Sequence, residues 1–384
     1  MVGVLEVVDI LGIETSCDET AAALVRDGRL VLSNVVYTQI PLHRPYGGVV
    51  PEIASRAHIE KIHEVVSAAM TGKVDAVAVT YGPGLAPALM VGLNAAKGLA
   101  RSLGVPLLPV NHIEAHLHTP FLIEGLGSRV SGLWENDSTP ATRNPQPATL
   151  VPSGTTPETP DPLSSCPALG LVVSGGHTSW FDMPEYGVYD LVGQTLDDAA
   201  GEAFDKAAKL LSLGYPGGPV VDRMSKEYVA AHGRGDFEEF PKGRPREGVA
   251  ALAGLDADLC VSFSGLKTSL LRYVQRRGGP DALGGDIARV VASYQEAIVQ
   301  SVAGRTRNAL KRRRYRSLIV GGGVSLNSRI REVLAEVAHE SGVSLLTAKP
   351  KFCGDNGAMV AALAYYRRAV PAERAMGIDV SPSL

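Results

Sequence analysis

The chain carries the same predicted order of secondary structure twice, and this repetition restricts its fold more than any other feature. Three short apolar runs separated by turns, within residues 10–37, indicate an antiparallel meander of strands. Helix-like and strand-like segments, among them a helix over residues 86–103, then alternate as far as residue 116. A second meander is predicted over residues 168–193, and alternating helices and strands follow it to residue 368. They include a helix over residues 326–340 and a strand over residues 344–347. This repetition favours two similar α/β lobes.

A duplicated meander followed by alternating helices and strands is the plan of the actin, hexokinase and heat-shock ATPase superfamily. We therefore predict an α/β, two-lobed, duplicated actin-like ATPase fold with a cleft between the lobes. Lobe I is predicted to cover residues 1–124, and the last helix, about 356–370, is expected to pack back on it. Lobe II is predicted to cover residues 168–355.

The composition changes abruptly between residues 125 and 167, at the seam between the predicted lobes. This segment contains eight prolines and twelve serines or threonines and has almost no periodic apolar pattern. Because such a segment cannot bury enough surface to offset its ordering entropy, we predict a disordered insertion. An ordered lid is the alternative interpretation.

Composition excludes several classes of protein. No apolar run approaches the roughly 20 residues that span a bilayer, so no membrane association is expected. The four cysteines are scattered without a Cys-x-x-Cys pair, which favours a reducing compartment. The first ten residues lack a basic side chain and resemble neither a secretory signal nor a transit peptide. A formal net charge of −3 excludes a nucleic-acid-coating protein that is basic over its whole surface, but it does not exclude a local basic patch.

Two histidines four residues apart, His112 and His116, are the first candidate functional group. On a helix, this spacing places both rings on one face, where they can bind one metal ion. They follow a strand-like run, at the sheet edge where α/β folds keep their chemistry. Asp355, before the last predicted helix, would add a carboxylate and leave coordination positions open, as in catalytic Zn²⁺ or Fe²⁺ sites. The alternatives are surface or capping histidines and a helix N-cap role for Asp355.

Glycine-rich turns after predicted strands are candidates for phosphate binding, because their backbone N–H groups are accessible. The first turn consists of Val172, Val173, Ser174, Gly175 and Gly176. The second covers residues 320–323 with Asn327 and suits the adenosine end of a nucleotide. Ordinary hairpin turns or tight packing would produce the same pattern.

The segment 196–206 is richer in acidic and small residues than a surface helix requires. Within it, Asp205 is a candidate acceptor for ribose hydroxyl groups; a solvated helix acid is the alternative. Gly218 lies in a rigid Pro/Gly turn that would leave room for a flat ligand.

Six motifs follow one another along residues 10–368. They are Gly12-Ile13-Glu14-Thr15-Ser16-Cys17-Asp18-Glu19-Thr20, the pair His112 and His116, Val173-Ser174-Gly175-Gly176-His177-Thr178, residues 197–206, Phe263-Ser264-Gly265-Leu266-Lys267-Thr268, and Cys353-Gly354-Asp355-Asn356-Gly357. Together they resemble the tRNA N6-adenosine threonylcarbamoyltransferases, once misnamed O-sialoglycoprotein endopeptidases. The first motif is similar to the form found in the bacterial and mitochondrial branch.

This resemblance implies transfer of the threonylcarbamoyl group from threonylcarbamoyl-adenylate to N6 of the adenosine at tRNA position 37, with release of AMP. It implies one divalent metal ion, Fe²⁺ or Zn²⁺, bound by His112, His116 and Asp355. It also implies the residues that hold the adenylate, namely Val172, Val173, Ser174, Gly175, Gly176, Asp205, Gly218 and Asn327. Glu14 and Asp18 receive no role.

The long insertion favours a mitochondrial enzyme, for which the family implies a homodimer. A cytoplasmic bacterial enzyme acting with accessory subunits is the alternative. The candidate tRNA contacts are residues 311–316 and the group of Arg272, Arg276 and Arg277; both groups could instead complement helix C-termini.

An ATP-hydrolysing kinase or chaperone-like protein of the same fold is the main alternative function. Such proteins bind Mg²⁺ through carboxylates, phosphates and water, and the histidine pair argues against them. A non-catalytic RNA-binding or scaffold protein would have no use for a metal triad.

Overall fold

The computed structural model describes residues 7–132, 159–245, 248, 254–367 and 376–383. It divides the chain into two compact units. The first comprises Met1–His43, Val49–Asp161 and Asp355–Leu384, and the second comprises Arg44–Gly48 and Pro162–Gly354. No helix in the described ranges is long and apolar enough to cross a bilayer.

Both units consist of strands and helices. The strands are β1 (Asp9–Glu14), β2 (Glu19–Arg26), β3 (Leu30–Thr38), β4 (Ala76–Gly82), β5 (Leu107–Asn111), β6 (Ile123–Gly132), β7 (Ala168–Val173), β8 (Thr178–Met183), β9 (Asp190–Gln194), β10 (Ser317–Gly321) and β11 (Ser344–Thr347). The α-helices are α1 (Ile40–His43), α2 (Pro51–Ala69), α3 (Ala86–Leu103), α4 (His112–His116), α5 (Ala200–Leu210), α6 (Gly217–His232), α7 (Ser264–Arg276), α8 (Ile287–Leu310), α9 (Ser328–Glu340) and α10 (Gly357–Tyr366).

The first unit is built on a six-stranded sheet in the order β5-β4-β1-β2-β3-β6. β1, β2 and β3 form an antiparallel meander, whereas β4 lies parallel to β1 and β5 lies parallel to β4. Every residue of β1 is buried, which is typical of a strand covered on both faces. α2 and α3 supply Val65, Ala69 and Leu93 to the core beside Leu11 and Val77.

The second unit is built on a five-stranded sheet in the order β11-β10-β7-β8-β9. Its core surrounds α8, where Tyr294 and Ile298 pack with Trp180, Phe204 and Phe263. The indole N–H of Trp180 donates to the hydroxyl oxygen of Thr306 at 3.0 Å, so the buried ring has a polar partner.

The two sheets share one topology, which confirms the duplicated α/β fold of the actin-like class. The order β5-β4-β1-β2-β3 in the first unit corresponds to β11-β10-β7-β8-β9 in the second. In both, the antiparallel meander is followed by two parallel strands on the same side.

The predicted insertion begins later than expected, because residues 125–132 belong to β6. This strand forms the edge of the sheet and pairs in parallel with β3, and backbone pairing at an edge needs no apolar pattern. A short 3₁₀ turn, Leu163–Ser165, follows near the other end of the segment. Residues 133–158 lie outside the described residues, so their disorder stays a prediction.

The predicted boundaries of the last helices also differ from the structure. The helix expected from residue 326 begins at Ser328, because Gly323–Leu326 forms a 3₁₀ turn before it. The last helix covers Gly357–Tyr366, within the expected range of about 356–370. Asp355, expected at the end of the second lobe, belongs to the first unit, because the helix that follows it packs on β1 and β2.

Candidate metal centre and glycine-rich site

Helix α4 places two histidines in the interior of the first unit. It begins directly after β5, and the Asn111 side chain caps it by accepting from the N–H groups of Ile113 at 2.9 Å and Glu114 at 3.1 Å. His112 is 4% exposed and His116 is 0% exposed, with ring centroids 4.8 Å apart. Both rings are therefore buried, and neither is a surface or capping histidine.

The carboxylate of Asp355 faces the two histidines. Its Oδ1 lies 3.2 Å from Nε2 of His116 and 3.8 Å from Nε2 of His112. One ligand atom from each of the three residues lies within 4.8 Å of the others. The cap of α10 is the next residue, Asn356, whose side chain accepts from the N–H of Met359 at 3.0 Å. Asp355 is therefore not the N-cap that its position before a helix suggested.

Close backbone packing brings Asp355 to this place. A Cβ atom on Gly12 of β1 would lie only 2.2 Å from the carbonyl oxygen of Gly357. A Cβ atom on Gly357 would lie 2.5 Å from the backbone carbonyl carbon of Ala22. Two glycines thus allow α10 to lie directly on the sheet. α10 also contacts α4, so Asp355, two positions before α10, lies beside the histidines.

Glu14, to which the sequence assigned no role, is a partner of His112. Its Oε2 lies 3.1 Å from Nδ1 of His112 and accepts from the hydroxyl of Thr80 at 2.5 Å. Burial works against a charged ring, but the negative charges of Glu14 and Asp355 prevail and raise the pKa of His112 to about 9. Burial also opposes ionisation of Glu14, yet the charge of His112 holds the pKa of this carboxyl below its ordinary value. With Nδ1 directed to Glu14, Nε2 is left on the side of Asp355.

The donor set fits a divalent transition metal ion. Both ring nitrogens of His116 are buried and make no hydrogen bond with any described residue, although Nε2 lies 3.2 Å from Asp355. Leaving a buried polar atom without a partner costs free energy, and a cation between Nε2 and the carboxylate would remove this cost. Two imidazoles with one carboxylate are ligands that suit Zn²⁺ and Fe²⁺.

In the second unit, two glycine-rich turns lie side by side at the carboxyl ends of two neighbouring strands. β7 and β10 are parallel neighbours, and Gly321 is paired with Val172. Gly322 has a φ of +93°, and a Cβ atom there would lie 2.3 Å from the carbonyl oxygen of Val173. Only glycine fits this position. The strand ends that the sequence marked as candidate phosphate sites therefore meet.

The turn after β7 presents two N–H groups to solvent. It is closed by hydrogen bonds from Ser174 N to His177 O at 2.8 Å and from His177 N to Ser174 Oγ at 3.1 Å. Gly175 and Gly176 are exposed, and their N–H groups donate to no described residue. A Cβ atom on either glycine would meet no atom within 4 Å. This turn offers donors and free space for an anion, unlike a closed hairpin.

Asp205, Gly218 and Asn327 lie on elements that surround these turns. α5 packs against α6 and against the 3₁₀ turn Gly323–Leu326. Oδ1 of Asp205 accepts from the N–H of Gly217 at 2.7 Å, and a Cβ atom on the adjacent Gly218 would meet nothing. Asn327 is the N-cap of α9, a role that the sequence analysis missed. Its Nδ2 also donates to Oε1 of Gln295 at 2.7 Å.

Asp197 also has a role that sequence reasoning did not find. Its carboxylate accepts from Phe263 N at 2.7 Å, Ser264 N at 3.2 Å and Ser262 Oγ at 2.5 Å. Burial opposes its ionisation, but these hydrogen bonds hold the pKa of Asp197 below its ordinary value. It therefore fixes the start of α7, a contact between residues more than 60 positions apart.

A solved structure agrees with the fold. Full-length HypF in its phosphate- and nucleotide-bound form matches 93% of this chain and 46% of its own, with 12% identity and a TM-score of 0.50. At this identity the likeness concerns the fold alone.

Sequence comparisons identify the family. The model of the tRNA N6-adenosine threonylcarbamoyltransferases matches residues 30–133 and 154–362. A protein of that name from Anaeromyxobacter sp. (strain Fw109-5) is 46% identical over 359 residues, 92% of each chain. Another, from Clostridium perfringens (strain SM101 / Type A), is 39% identical over 383 residues, 98% of this chain and 97% of its own. The chain belongs to the tRNA N6-adenosine threonylcarbamoyltransferase family.

Proposed function

We propose that the chain transfers the threonylcarbamoyl group from threonylcarbamoyl-adenylate to N6 of the adenosine at tRNA position 37. A bond forms between the carbamoyl carbon and N6, the bond from that carbon to the phosphate oxygen breaks, N6 loses a proton and AMP leaves. The buried group of His112, His116 and Asp355, in a chain of this family, carries the proposal.

The three ligands are proposed to hold one Fe²⁺ or Zn²⁺ ion, which would supply Lewis acidity toward the carbamoyl oxygen. Glu14 keeps Nδ1 of His112 occupied, so the other ring nitrogen serves as the ligand. In the second unit, the exposed N–H groups of Gly175 and Gly176 are proposed to donate to the phosphate of the adenylate. Donors placed beforehand stabilise negative charge that develops on a leaving group.

The remaining adenylate contacts are proposed for Val172, Val173, Ser174, Asp205, Gly218 and Asn327. Gly218 contributes free space, since no atom lies near its Cβ position. Asp205, whose Oδ1 accepts from the N–H of Gly217, is the proposed acceptor for a ribose hydroxyl. Asn327 is proposed to act mainly through the helix start that it caps.

The partners and location stay predictions. The relatives reported above are bacterial, and the one from Clostridium perfringens is matched over nearly its whole length. A bacterial relative thus has nearly the same length as this chain, so the length of the insertion is weak support for a mitochondrial homodimer. We propose the alternative, a cytoplasmic bacterial enzyme that acts with accessory subunits.

Reaction with purified threonylcarbamoyl-adenylate and unmodified tRNA, followed by nucleoside analysis, tests this function. We expect threonylcarbamoyladenosine and one AMP for each modified nucleoside. The reaction should be repeated with accessory subunits of a bacterial relative, so that a missing partner is not mistaken for a missing activity. Rapid ATP hydrolysis without tRNA, and no modified nucleoside in either reaction, would favour the kinase-like alternative.

A further inference from the structure

The second unit contains a cavity of about 910 Å³ that the proposed adenylate contacts do not use. One wall is the polar face of α7, which contributes Ser264, Thr268, Arg272 and Arg276 at helical spacing. The opposite face of this helix is buried in the core through Leu266, Leu270 and Val274. The other wall includes Arg244 and Ser262. Asp197 fixes the start of α7, so this wall has a defined position.

The cavity carries positive charge that the described part of the protein does not compensate. Arg244, Arg272 and Arg276 line it, and none of them forms an ion pair with a described residue. No carboxylate is found among its described lining residues, whereas hydroxyl groups are frequent. The carboxylate of Asp197 accepts from Ser262 and Ser264 at this wall, but the three guanidinium groups exceed its single negative charge. Such a site favours an anion.

Several other arginines of this unit do have an acidic partner. Arg277, next to Arg276 in sequence, lies 3.6 Å from Asp286 and over the ring of Tyr273. Arg312 pairs with Asp256, and Arg313 lies 3.1 Å from Asp182. Two of the five basic side chains in residues 311–316 thus have an acidic partner, whereas none of the three arginines of the cavity has one among the described residues.

We propose that this cavity binds the ribose-phosphate backbone of tRNA through Arg244, Arg272 and Arg276. The inference rests on the proposed function, which supplies an RNA as the macromolecular substrate. A single small anion would use only part of the volume and of the three guanidinium groups, whereas successive phosphates can use all of them. Arginine and hydroxyl contacts of this kind position a nucleic acid without reading its bases.

Binding of unmodified tRNA, measured by fluorescence anisotropy over a salt series, tests the proposal. The double variant Arg272→Gln/Arg276→Gln should bind tRNA at least about 10-fold more weakly. The slope of its log affinity against log salt concentration should be smaller in magnitude by about one to two. The matched control Arg312→Gln/Arg313→Gln changes the net charge equally and should bind within about twofold of the wild type. The charge-preserving variant Arg272→Lys/Arg276→Lys should recover much of the affinity, which a folding defect would not allow.

Steady-state transfer adds a second readout. The cavity variant should raise the KM for tRNA and leave the KM for threonylcarbamoyl-adenylate unchanged. If the wild type modifies tRNA and both Gln variants bind it equally well, the cavity assignment is wrong and the proposed function stands. Tripolyphosphate can be added as a small competing anion. If it inhibits the wild type but not the cavity variant, while both proteins bind tRNA equally well, the cavity binds small anions and the assignment is also wrong. A wild type that modifies no tRNA, alone or with the accessory subunits, would instead contradict the proposed function.

Discussion

Glu114, which lies between the two histidines of α4, forms an ion pair with Arg367, the residue that follows α10. The pair joins the helix that carries His112 and His116 to the helix that follows Asp355. The histidine ligands and the Asp355 ligand are therefore held together by a contact that itself contributes no ligand atom. Loss of a residue that hydrogen-bonds a metal ligand typically lowers metal affinity by about 10- to 100-fold. Glu114 and Arg367 instead hold the two helices together, so the effect of their loss should lie at the lower end of this range or below it.

Replacing Glu114 by Ala should accordingly weaken metal binding without removing a ligand. Because the ion pair is partly exposed, we expect a loss near the lower end, about 10-fold. Competition with a chelator of known affinity measures it. Glu114→Gln, which retains a hydrogen-bond acceptor, should lose less, and equal affinities in all three proteins would contradict this role.

Replacing His116 by Ala should remove most of the bound metal while both units remain folded. The reason is that neither ring nitrogen of His116 makes a hydrogen bond with a described residue, so the ring contributes little to the fold besides packing. Elemental analysis of the purified variant gives the metal content, and circular dichroism checks the fold. Unchanged metal content would show that the ligand set is wrong.

Replacing Gly322 by Ala should destabilise the protein, whereas Gly323→Ala should not. At Gly322 the Cβ atom would lie 2.3 Å from Val173 O at a φ of +93°, while at Gly323 it would meet nothing within 4 Å. A strained backbone of this kind costs roughly 1–3 kcal/mol, and the contact with a fixed carbonyl adds to it. Urea unfolding of the two variants measures the difference, and equal stabilities would refute the explanation.

Replacing Gly218 by Val should impair adenylate binding while leaving the metal content unchanged. No atom lies within 4 Å of its Cβ position, so the side chain would project into free space instead of the core. Isothermal titration with threonylcarbamoyl-adenylate tests binding, and elemental analysis tests the metal. Gly265→Val, in equally open space at the start of α7, is a control that should bind the adenylate normally.

Acidification should destabilise the protein partly through His58. Its Nε2–H donates to Cys17 O at 3.0 Å and its Nδ1 accepts from Thr20 Oγ1 at 2.7 Å, while burial lowers its pKa. Below the unfolded value of about 6.5, the unfolded chain takes up a proton that the folded ring resists. This contribution is complete above that pH and is lost as the pH falls toward the folded pKa.

The expected loss is at most about 1.4 kcal/mol per pH unit from this residue. Urea unfolding at several pH values between about 7 and about 5 measures it for the wild type and for His58→Gln, which cannot titrate. The difference in their unfolding free energies should narrow as the pH falls. Parallel curves would show that His58 is not responsible.

Local patterns were sufficient for most of the secondary structure and for the duplicated plan. The predicted helix Ala86–Leu103 and strand Ser344–Thr347 have the observed bounds, because apolar periodicity and glycine turns act over a few residues. The pairing of His112 with His116 is likewise a property of helical spacing. β6 was not predicted, because its pairing with β3 depends on backbone hydrogen bonds and not on an apolar pattern.

The sequence by itself therefore determined the order of the elements, the family motifs and the pair of imidazoles, all of which depend on neighbouring residues. Only the tertiary structure decided which distant groups meet. It paired Glu14 with His112, nearly 100 positions away, and it turned Asp355 to the histidines while Asn356 became the cap. It also decided which arginines have acidic partners. These outcomes depend on close packing and on charges that the sheets bring together. The spacing of residues along the chain does not predict such contacts.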